Sequence, residues 1–221
     1  SNFAAEARRA AGAPKIDGDL SDWVGHEPIP LLAENQLTRF SSGYDWTPEN
    51  LSGVAYLQWD EQALYLAVDV IDDRAATPFT DDRTPDSDSV TLAIQPNRIG
   101  KDANHQAFAY CLSAATPGGG SGRVTLYRPP AYAGGLPSGQ LARDSSVYEV
   151  QIRRNGTRTT YEARRPGSEL GGVQPRLGMK LGLSIRLDDN DGDGRAAAMT
   201  WGDGLEPAWE PSMFGVLTLT N

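Results

Sequence analysis

The sequence has one cysteine, few basic residues and no long apolar run. Cys111 has no second cysteine to pair with, which excludes an intrachain disulfide, and its apolar neighbours predict a small buried side chain. The chain carries 20 Lys and Arg against 29 Asp and Glu, and the resulting net charge of −9 argues against nucleic acid or an anionic membrane as a partner. No run of about twenty apolar residues is present, so membrane insertion is not expected.

Motifs that carry common enzyme chemistry are also missing. The two histidines, His26 and His105, stand outside any metal-ligand spacing such as HExxH. The glycine-rich run at residues 118–122 fits neither a nucleophile elbow nor a phosphate-binding loop. These absences predict a protein that is not an enzyme.

Alternation of apolar and polar residues is the strongest pattern that the sequence does contain. Period two indicates strands with one buried face. The alternating apolar residues fall in three runs: Leu64, Leu66, Val68 and Val70; Val90, Leu92 and Ile94; and Leu181, Leu183, Ile185 and Leu187. Asn155-Gly156 between two further runs predicts a hairpin turn. The pattern predicts an all-β fold, an antiparallel β-sandwich of about eleven strands, immunoglobulin-like or jelly-roll-like, with no major helix.

No linker divides the chain, so residues 15–221 are predicted to form one domain. Residues 1–14 are rich in alanine and are expected to be a disordered lead-in. The first strand is expected to begin at Lys15.

A short acidic loop follows the third alternating run. In the segment DNDGDG at residues 189–194, Asp189, Asp191 and Asp193 occupy alternate positions before a glycine, as in the first half of a calcium loop. The match ends there, because Thr200 stands where such a loop needs a bidentate glutamate. The loop is therefore either part of a calcium site with ligands from elsewhere or a polar turn between two strands.

A second acidic group surrounds the long loop between the first two runs. Asp72 follows one strand and Asp88 precedes the next, so the two carboxylates meet if these strands are antiparallel neighbours. Four more acidic residues lie close in sequence: Asp73, Asp81, Asp82 and Asp86. Facing carboxylates need a cation or a proton, and calcium would meet that need; the alternative is a loop whose acids are simply hydrated.

Several segments together resemble the family 9 carbohydrate-binding modules. They are IDGDLSDW at residues 16–23, the pattern WDE…LYLAV.V.DD…DSV.LAI over residues 59–94, and PSMFGVLTL at residues 211–219. Their order and spacing carry the likeness, which covers roughly residues 15 to 220. The resemblance implies a β-sandwich that binds sugars, often with calcium, and performs no catalysis.

The resemblance also implies a sugar site, and this chain matches it only in part. Two tryptophans clamp one terminal sugar in the family; Trp209 stands at one position, and Pro85 replaces the other. Phe79 is a candidate substitute for the second tryptophan. Three further family positions, an arginine, a glutamate and a glutamine, fall at Ala109, Thr91 and Arg186 respectively. Tyr44 and Trp46 are a further aromatic pair that either stacks on sugar or packs over the edge of the sheet.

Two functions are consistent with these observations. The first is a carbohydrate-binding module of a larger secreted or surface protein, extracellular, periplasmic or on the cell surface, that binds an oligo- or polysaccharide. In it, Trp209, Arg186 and Phe79 hold the sugar, and structural calcium is bound by residues drawn from both acidic groups: Asp189, Asp191, Asp193, Asp72 and Asp88. The second is a structural or interaction domain of the same fold that has lost the sugar site, for which Pro85 is the evidence.

Overall fold

A computed structural model of the chain describes residues 3–79, 83–96, 107–129, 139–143, 148–170 and 174–221. Within those ranges the regular structure is β-strand and short 3₁₀ turn, which confirms the all-β prediction and the expectation of no major helix. The fourteen strands are β1 (Ala4–Arg9), β2 (Ile29–Leu31), β3 (Leu37–Phe40), β4 (Ser52–Trp59), β5 (Ala63–Ile71), β6 (Ser89–Gln95), β7 (Phe108–Ala114), β8 (Gly119–Arg128), β9 (Gly139–Arg143), β10 (Val150–Asn155), β11 (Arg158–Pro166), β12 (Lys180–Asn190), β13 (Arg195–Trp201) and β14 (Gly215–Thr220).

The sheet closes on itself, so the prediction of a sandwich holds only in part. Ten strands form a ring in the order β14-β1-β4-β5-β11-β10-β8-β7-β6-β12, and β12 pairs with β14 to complete it. β12 makes this closure possible because it is long. Its first residues pair with β14, its later residues pair with β13, and β6 runs along its other edge. The result is a barrel-like sheet rather than two clearly separate layers.

The N-terminal residues join this ring instead of forming a disordered lead-in. β1 pairs in parallel with β14 over five residues and with β4 over two. Ala5 and Ala7 face the core and are small enough to lie between these neighbouring strands, whereas Glu6 between them is exposed. The predicted first strand at Lys15 is absent: the chain there leads into a 3₁₀ turn, Leu20–Trp23, whose N-terminus is capped by Asp19.

The core lies inside the ring and is lined by the alternating residues that the sequence singled out. All three apolar runs of β5, β6 and β12 belong to one buried cluster. Burial of each leucine side chain contributes about 1.5–3 kcal/mol, so the runs together decide which face of each strand points inward. The intervening residues of β6, β7, β8 and β12 must therefore point outward, where they form the floor of the site described below.

The predicted hairpin is confirmed. β10 and β11 pair antiparallel up to Asn155 and Arg158, and the turn between them contains Gly156 with a φ of +62°. A positive φ suits glycine, which lacks the Cβ that penalises other residues there. Among the residues that the structure describes, no helix has the length and apolar character needed to cross a membrane.

Candidate functional site

A cavity of about 250 Å³ lies on the outer face of the closed sheet. Its floor is a row of residues from four adjacent strands: Arg186 on β12 pairs with Thr91 on β6, Thr91 with Cys111 on β7, and Cys111 with Thr125 on β8. Each of these residues alternates with core residues of its own strand, which is why the row faces away from the barrel interior.

Cys111 is a buried part of this floor, as predicted for a small side chain in an apolar run. Burial raises the pKa of its thiol to about 11, and the charge of Asp188 adds to the effect. The thiol is therefore neutral near pH 7 and contributes shape rather than charge.

The wall of the cavity comes from the loop between β13 and β14. Leu205, Glu206 and Trp209 project from this loop into the lining. The Trp209 ring is half-buried and lies edge-on to Phe214, with ring centroids 5.5 Å apart, and to Tyr127 at 5.9 Å. Contacts of this kind hold an aromatic ring in place while part of its surface remains accessible.

Gly204 shapes the same loop. Its φ is +87°, and a Cβ added there would lie 2.1 Å from the carbonyl oxygen of Glu210. The Glu210 N–H also donates to the Gly204 carbonyl oxygen at 2.7 Å. Only glycine allows these two chain segments to approach so closely, and their approach fixes the segment that carries Trp209.

Three arginines and two carboxylates form one ion-pair network at the cavity. Glu206 accepts from Arg186 at 2.9 Å and from Arg39 at 3.1 Å, and it lies 3.6 Å from Arg195. Asp188, beneath the floor, pairs with Arg186 at 3.0 Å and with Arg195. Burial alone would lower the pKa of Arg186, but the two carboxylates outweigh it and raise that pKa.

The structure brings together two of the three predicted sugar-binding residues. Trp209 and Arg186 both line the cavity, and so do three of the positions that the family resemblance pointed to: Pro85, Thr91 and Ala109. Phe79 is not among the described residues that line it. Its ring lies 4.2 Å below the guanidinium of Arg83, and its N–H donates to the Ser87 hydroxyl.

Six lining residues were not predicted from the sequence: Thr125, Tyr127, Arg39, Arg195, Leu205 and Glu206. Tyr127 could have been found, because it follows Thr125 with period two on β8. Arg39 and Arg195 could not, since they reach the cavity only through the pairing of β3 with β13 at the edge of the ring. Glu206 lies in an irregular loop whose path no local pattern indicates.

A second polar centre, the aspartate cluster, is defined by Asp72, Asp189 and Asp191. One carboxylate oxygen from each residue lies within 4.8 Å of the others. Asp189 Oδ2 accepts from the Tyr44 hydroxyl at 3.1 Å, while Asp189 Oδ1 is buried and has no hydrogen-bond partner among the described residues. Asp72 is also buried, and Arg154 lies 3.5 Å from its carboxylate.

Tyr44 packs beside the aspartate cluster, and Trp46 donates to the Leu51 carbonyl oxygen. Of the two alternatives for this aromatic pair, the structure therefore shows packing against the sheet.

The cluster unites parts of the two acidic groups that the sequence suggested. Asp72 comes from the long loop, and Asp189 and Asp191 come from the hairpin between β12 and β13. The assumption that β5 and β6 are neighbours is wrong, since β5 pairs with β4 and β11 and β6 pairs with β7 and β12. Closure of the ring, rather than direct pairing, brings the two groups together.

Two further acidic residues of these groups, Asp88 and Asp193, are described by the structure. Asp88 interacts with Asp72, and it accepts from the backbone N–H groups of Asn190, at 2.8 Å, and of Ala76. Asp193 is exposed and does not share the three-carboxylate geometry. Asp81 and Asp82 lie outside the described residues.

Burial and mutual repulsion raise the pKa values of these carboxyls. Burial, opposed by the Arg74 N–H and Arg154, raises the pKa of Asp72 to about 6. Burial and the charge of Asp72 raise the pKa of Asp88 to about 9 and that of Asp189 to about 8. A divalent cation bound by ionised carboxylates would remove both causes, because it supplies the opposite charge and the missing ligand contacts.

An all-β domain with an aromatic cavity on one face of its sheet is typical of ligand-binding modules. The family model described as "Carbohydrate family 9 binding domain-like" matches residues 16–221, and the chain belongs to this family. No curated protein matches the chain.

Solved structures show the same fold at low identity. A family 9 carbohydrate-binding module from Caldicellulosiruptor kristjanssonii, in complex with cellotriose, is 19% identical with a TM-score of 0.63, covering 99% of this chain and 94% of that one. The same module with glucose gives 19% and 0.63, covering 98% and 96%. A proposed carbohydrate-binding protein from Bacteroides uniformis ATCC 8492 is 14% identical with a TM-score of 0.68, covering 99% and 100%. At these identities the likeness concerns the fold alone.

Proposed function

We propose that this chain is a non-catalytic carbohydrate-binding module that holds a saccharide in the cavity beside Trp209. The observation that carries the proposal is the cavity itself. In a chain of the family 9 type, the half-exposed Trp209 ring borders a polar floor of adequate size for a sugar ring. Family 9 modules of the same fold are in complex with cellotriose and glucose.

Two kinds of contact, stacking and hydrogen bonding, would hold the sugar. The apolar C–H face of a pyranose can pack on the accessible part of the Trp209 ring, which Phe214 and Tyr127 hold in position. Thr91 and Arg186 supply polar groups on the floor that can interact with hydroxyls. The arginine network fixes these groups in advance, which lowers the entropic cost of binding.

Both carboxylates near the cavity are unsuited to acid–base catalysis. Glu206 and Asp188 are each ion-paired with at least two arginines, so the oxygens of both carboxylates are engaged within the protein. This supports the binding function over an enzymatic one. As a binding module, the domain would serve a larger secreted or surface protein that acts on a polysaccharide.

We further propose that calcium binds the aspartate cluster. The buried Asp189 Oδ1 that lacks a partner and the three converging carboxylates fit a hard divalent cation, which prefers such oxygen ligands. Asp72, Asp189 and Asp191 would hold the ion, and Asp88 would support the site through Asp72. The ion would supply charge neutralisation and thereby join the β12–β13 hairpin to the loop after β5.

A structural or interaction domain without a sugar ligand is the second candidate function. The favouring observation is Pro85, which lines the cavity without the flat surface that an aromatic side chain would give. Tyr127 does not replace it as a parallel partner of Trp209, since the two rings are 89° apart.

Titration calorimetry with cellotriose and glucose, compared between the unaltered protein and Trp209→Ala, tests the proposed function. We expect measurable binding that Trp209→Ala abolishes, with a loss of no more than a few degrees in melting temperature. Trp46→Ala is the matched control, because Trp46 is also half-buried but packs elsewhere; it should keep the affinity. Absence of binding by the unaltered protein would favour the structural domain. Binding that survives Trp209→Ala, or is lost only together with stability, would contradict the assignment of the site to Trp209.

A further inference from the structure

The cavity carries an excess of positive charge in a chain that is strongly negative overall. Three guanidinium groups, from Arg39, Arg186 and Arg195, face Glu206 in the lining and Asp188 beneath the floor. Among the described residues of this network, two carboxylates face three guanidiniums, so one positive charge remains. The protein as a whole has a net charge of −9, and the local excess therefore opposes the general charge of the molecule.

The three arginines differ in how many of their donors are in use. Each of the three nitrogens of Arg186 already has a partner within the protein: Nε donates to Asp188, Nη1 to Glu206 and Nη2 to the Thr91 hydroxyl. Arg195 uses Nη2 for Asp188, and its Nε is buried without a hydrogen-bond partner. Its side chain is only 11% exposed, so water has limited access to that donor.

Arg39 is the open member of the group. Its side chain is 52% exposed, and its Nη2 bonds only to Glu206, which Arg186 already engages at a shorter distance. Arg39 and Arg195 thus lie at one cavity with donor capacity that the protein's own carboxylates do not use. A buried donor without a partner is costly, and an acceptor brought by a ligand would relieve that cost.

We propose that the saccharide bound beside Trp209 is an acidic one, a hexuronic acid unit whose carboxylate is held by Arg195 and Arg39. This inference rests on the proposed saccharide-binding function and adds the class of sugar. A carboxylate matches the planar fork of a guanidinium and can accept two N–H groups at once. It also supplies the single negative charge that the network lacks, whereas the hydroxymethyl group of a neutral hexose supplies none.

The sharpest test compares D-glucuronate with D-glucose, two sugars that differ only at C6. Calorimetric titrations in low salt should give at least a tenfold lower Kd for glucuronate, and added salt should reduce that preference. In Arg195→Gln the ratio of the two Kd values should fall toward one. Arg195→Lys keeps the charge but loses the fork, and it should retain only part of the preference.

Arg158→Gln is the matched control. It removes the same formal charge from an exposed arginine that pairs with Asp69 at 3.3 Å and does not line the cavity. The preference for glucuronate should be unchanged in this variant. Melting temperatures of all variants, measured alongside, show whether a lost preference reflects lost folding.

Each outcome separates this inference from the function on which it rests. Glucose or cellotriose binding that equals or exceeds glucuronate binding, and that depends on Trp209, would overturn the acidic-sugar inference and leave the saccharide-binding function intact. A glucuronate preference that Arg195→Gln does not reduce would overturn the assignment of Arg195. Absence of binding by glucuronate, glucose and cellotriose alike would overturn both proposals.

Discussion

The cavity and the aspartate cluster lie on opposite faces of one strand, and their local charges have opposite signs. Asp188 and Asp189 are consecutive on β12, yet Asp188 pairs with arginines at the cavity and Asp189 joins the carboxylates of the cluster. At the cavity, positive charge is in excess and the Arg195 Nε donor lacks a partner. At the cluster, negative charge is in excess and the Asp189 Oδ1 acceptor lacks one.

This difference in charge follows from the two-residue period of a β-strand. Because successive side chains point to opposite faces, two adjacent aspartates can serve two sites without competing for the same partners. From the unpaired group at each centre we propose an anion at the cavity and a cation at the cluster.

Substitution of Asp189 should have the largest effect on stability in calcium. With calcium at about 100 times its Kd, binding should stabilise the unaltered protein by about 2.7 kcal/mol, a rise of roughly 5–10 °C in melting temperature. Asp189→Asn should abolish most of that rise, because it removes the carboxylate with the unpartnered oxygen. It should also stabilise the calcium-free protein, because a neutral amide replaces a carboxyl whose ionised form is disfavoured by burial and by the charge of Asp72.

Asp193→Asn is the control for this experiment. Asp193 belongs to the same loop and carries the same charge, but it lies outside the three-carboxylate cluster. Differential scanning calorimetry with calcium and with a chelator should show a normal calcium response in this variant. An equal loss in both variants would mean that calcium responds to loop charge in general rather than to the cluster.

Glu162 is a buried carboxylate that belongs neither to the arginine network at the cavity nor to the aspartate cluster. It is fully buried and accepts from neutral donors, among them the Gly18 N–H at 2.8 Å and Trp23 Nε1 at 3.3 Å. Burial raises its pKa to about 7 from an unfolded value near 4.5. The folded state therefore binds the proton more tightly, and the stability gained from it is present at low pH and lost as pH rises from about 4.5 through 7.

We expect this loss to be about 2 kcal/mol between pH 5 and pH 8. Glu162→Gln should remove that share of the pH dependence, whatever its effect on absolute stability. Urea unfolding at both pH values, with calcium present to hold the aspartate cluster constant, would measure it. Identical pH dependence in the variant and the unaltered protein would mean that Glu162 keeps an ordinary pKa in the folded state.

The smallest expected effect concerns the loop that carries Trp209. Gly204→Ala should weaken saccharide binding by roughly tenfold, about 1.4 kcal/mol, because its Cβ would displace the Glu210 segment. Gly178→Ala is the control: its φ is also positive, at +81°, but no atom lies within 4 Å of the added Cβ. Both variants should lose some stability, and only Gly204→Ala should lose affinity in a calorimetric titration.

Local patterns in the sequence predict the inward faces of the strands well, and the reason is physical. Leu64 or Leu183 must be buried to contribute, so alternation alone identifies the core face of β5 and β12. The hairpin at Gly156 is equally local, since its turn depends on two adjacent residues. Trp209 and Arg186 were assigned through the resemblance, and the structure places both at the cavity.

Features that depend on pairing between distant strands were beyond local patterns. The ring closes through β12 and β14, and β1 is inserted between β14 and β4, although residues 4–9 have no strong strand signal of their own. Arg39 and Arg195 reach the cavity through the same kind of distant pairing. The union of Asp72 with Asp189 likewise follows from ring closure rather than from spacing in the sequence.

The most direct test of the account is the melting temperature of the unaltered protein in four solutions: chelator alone, calcium, D-glucuronate with chelator, and both ligands together. We expect calcium and glucuronate each to raise the melting temperature, because each would bind only the folded state and at a different centre. A melting temperature that responds to neither would contradict the proposal that the two faces of β12 carry two binding sites of opposite charge.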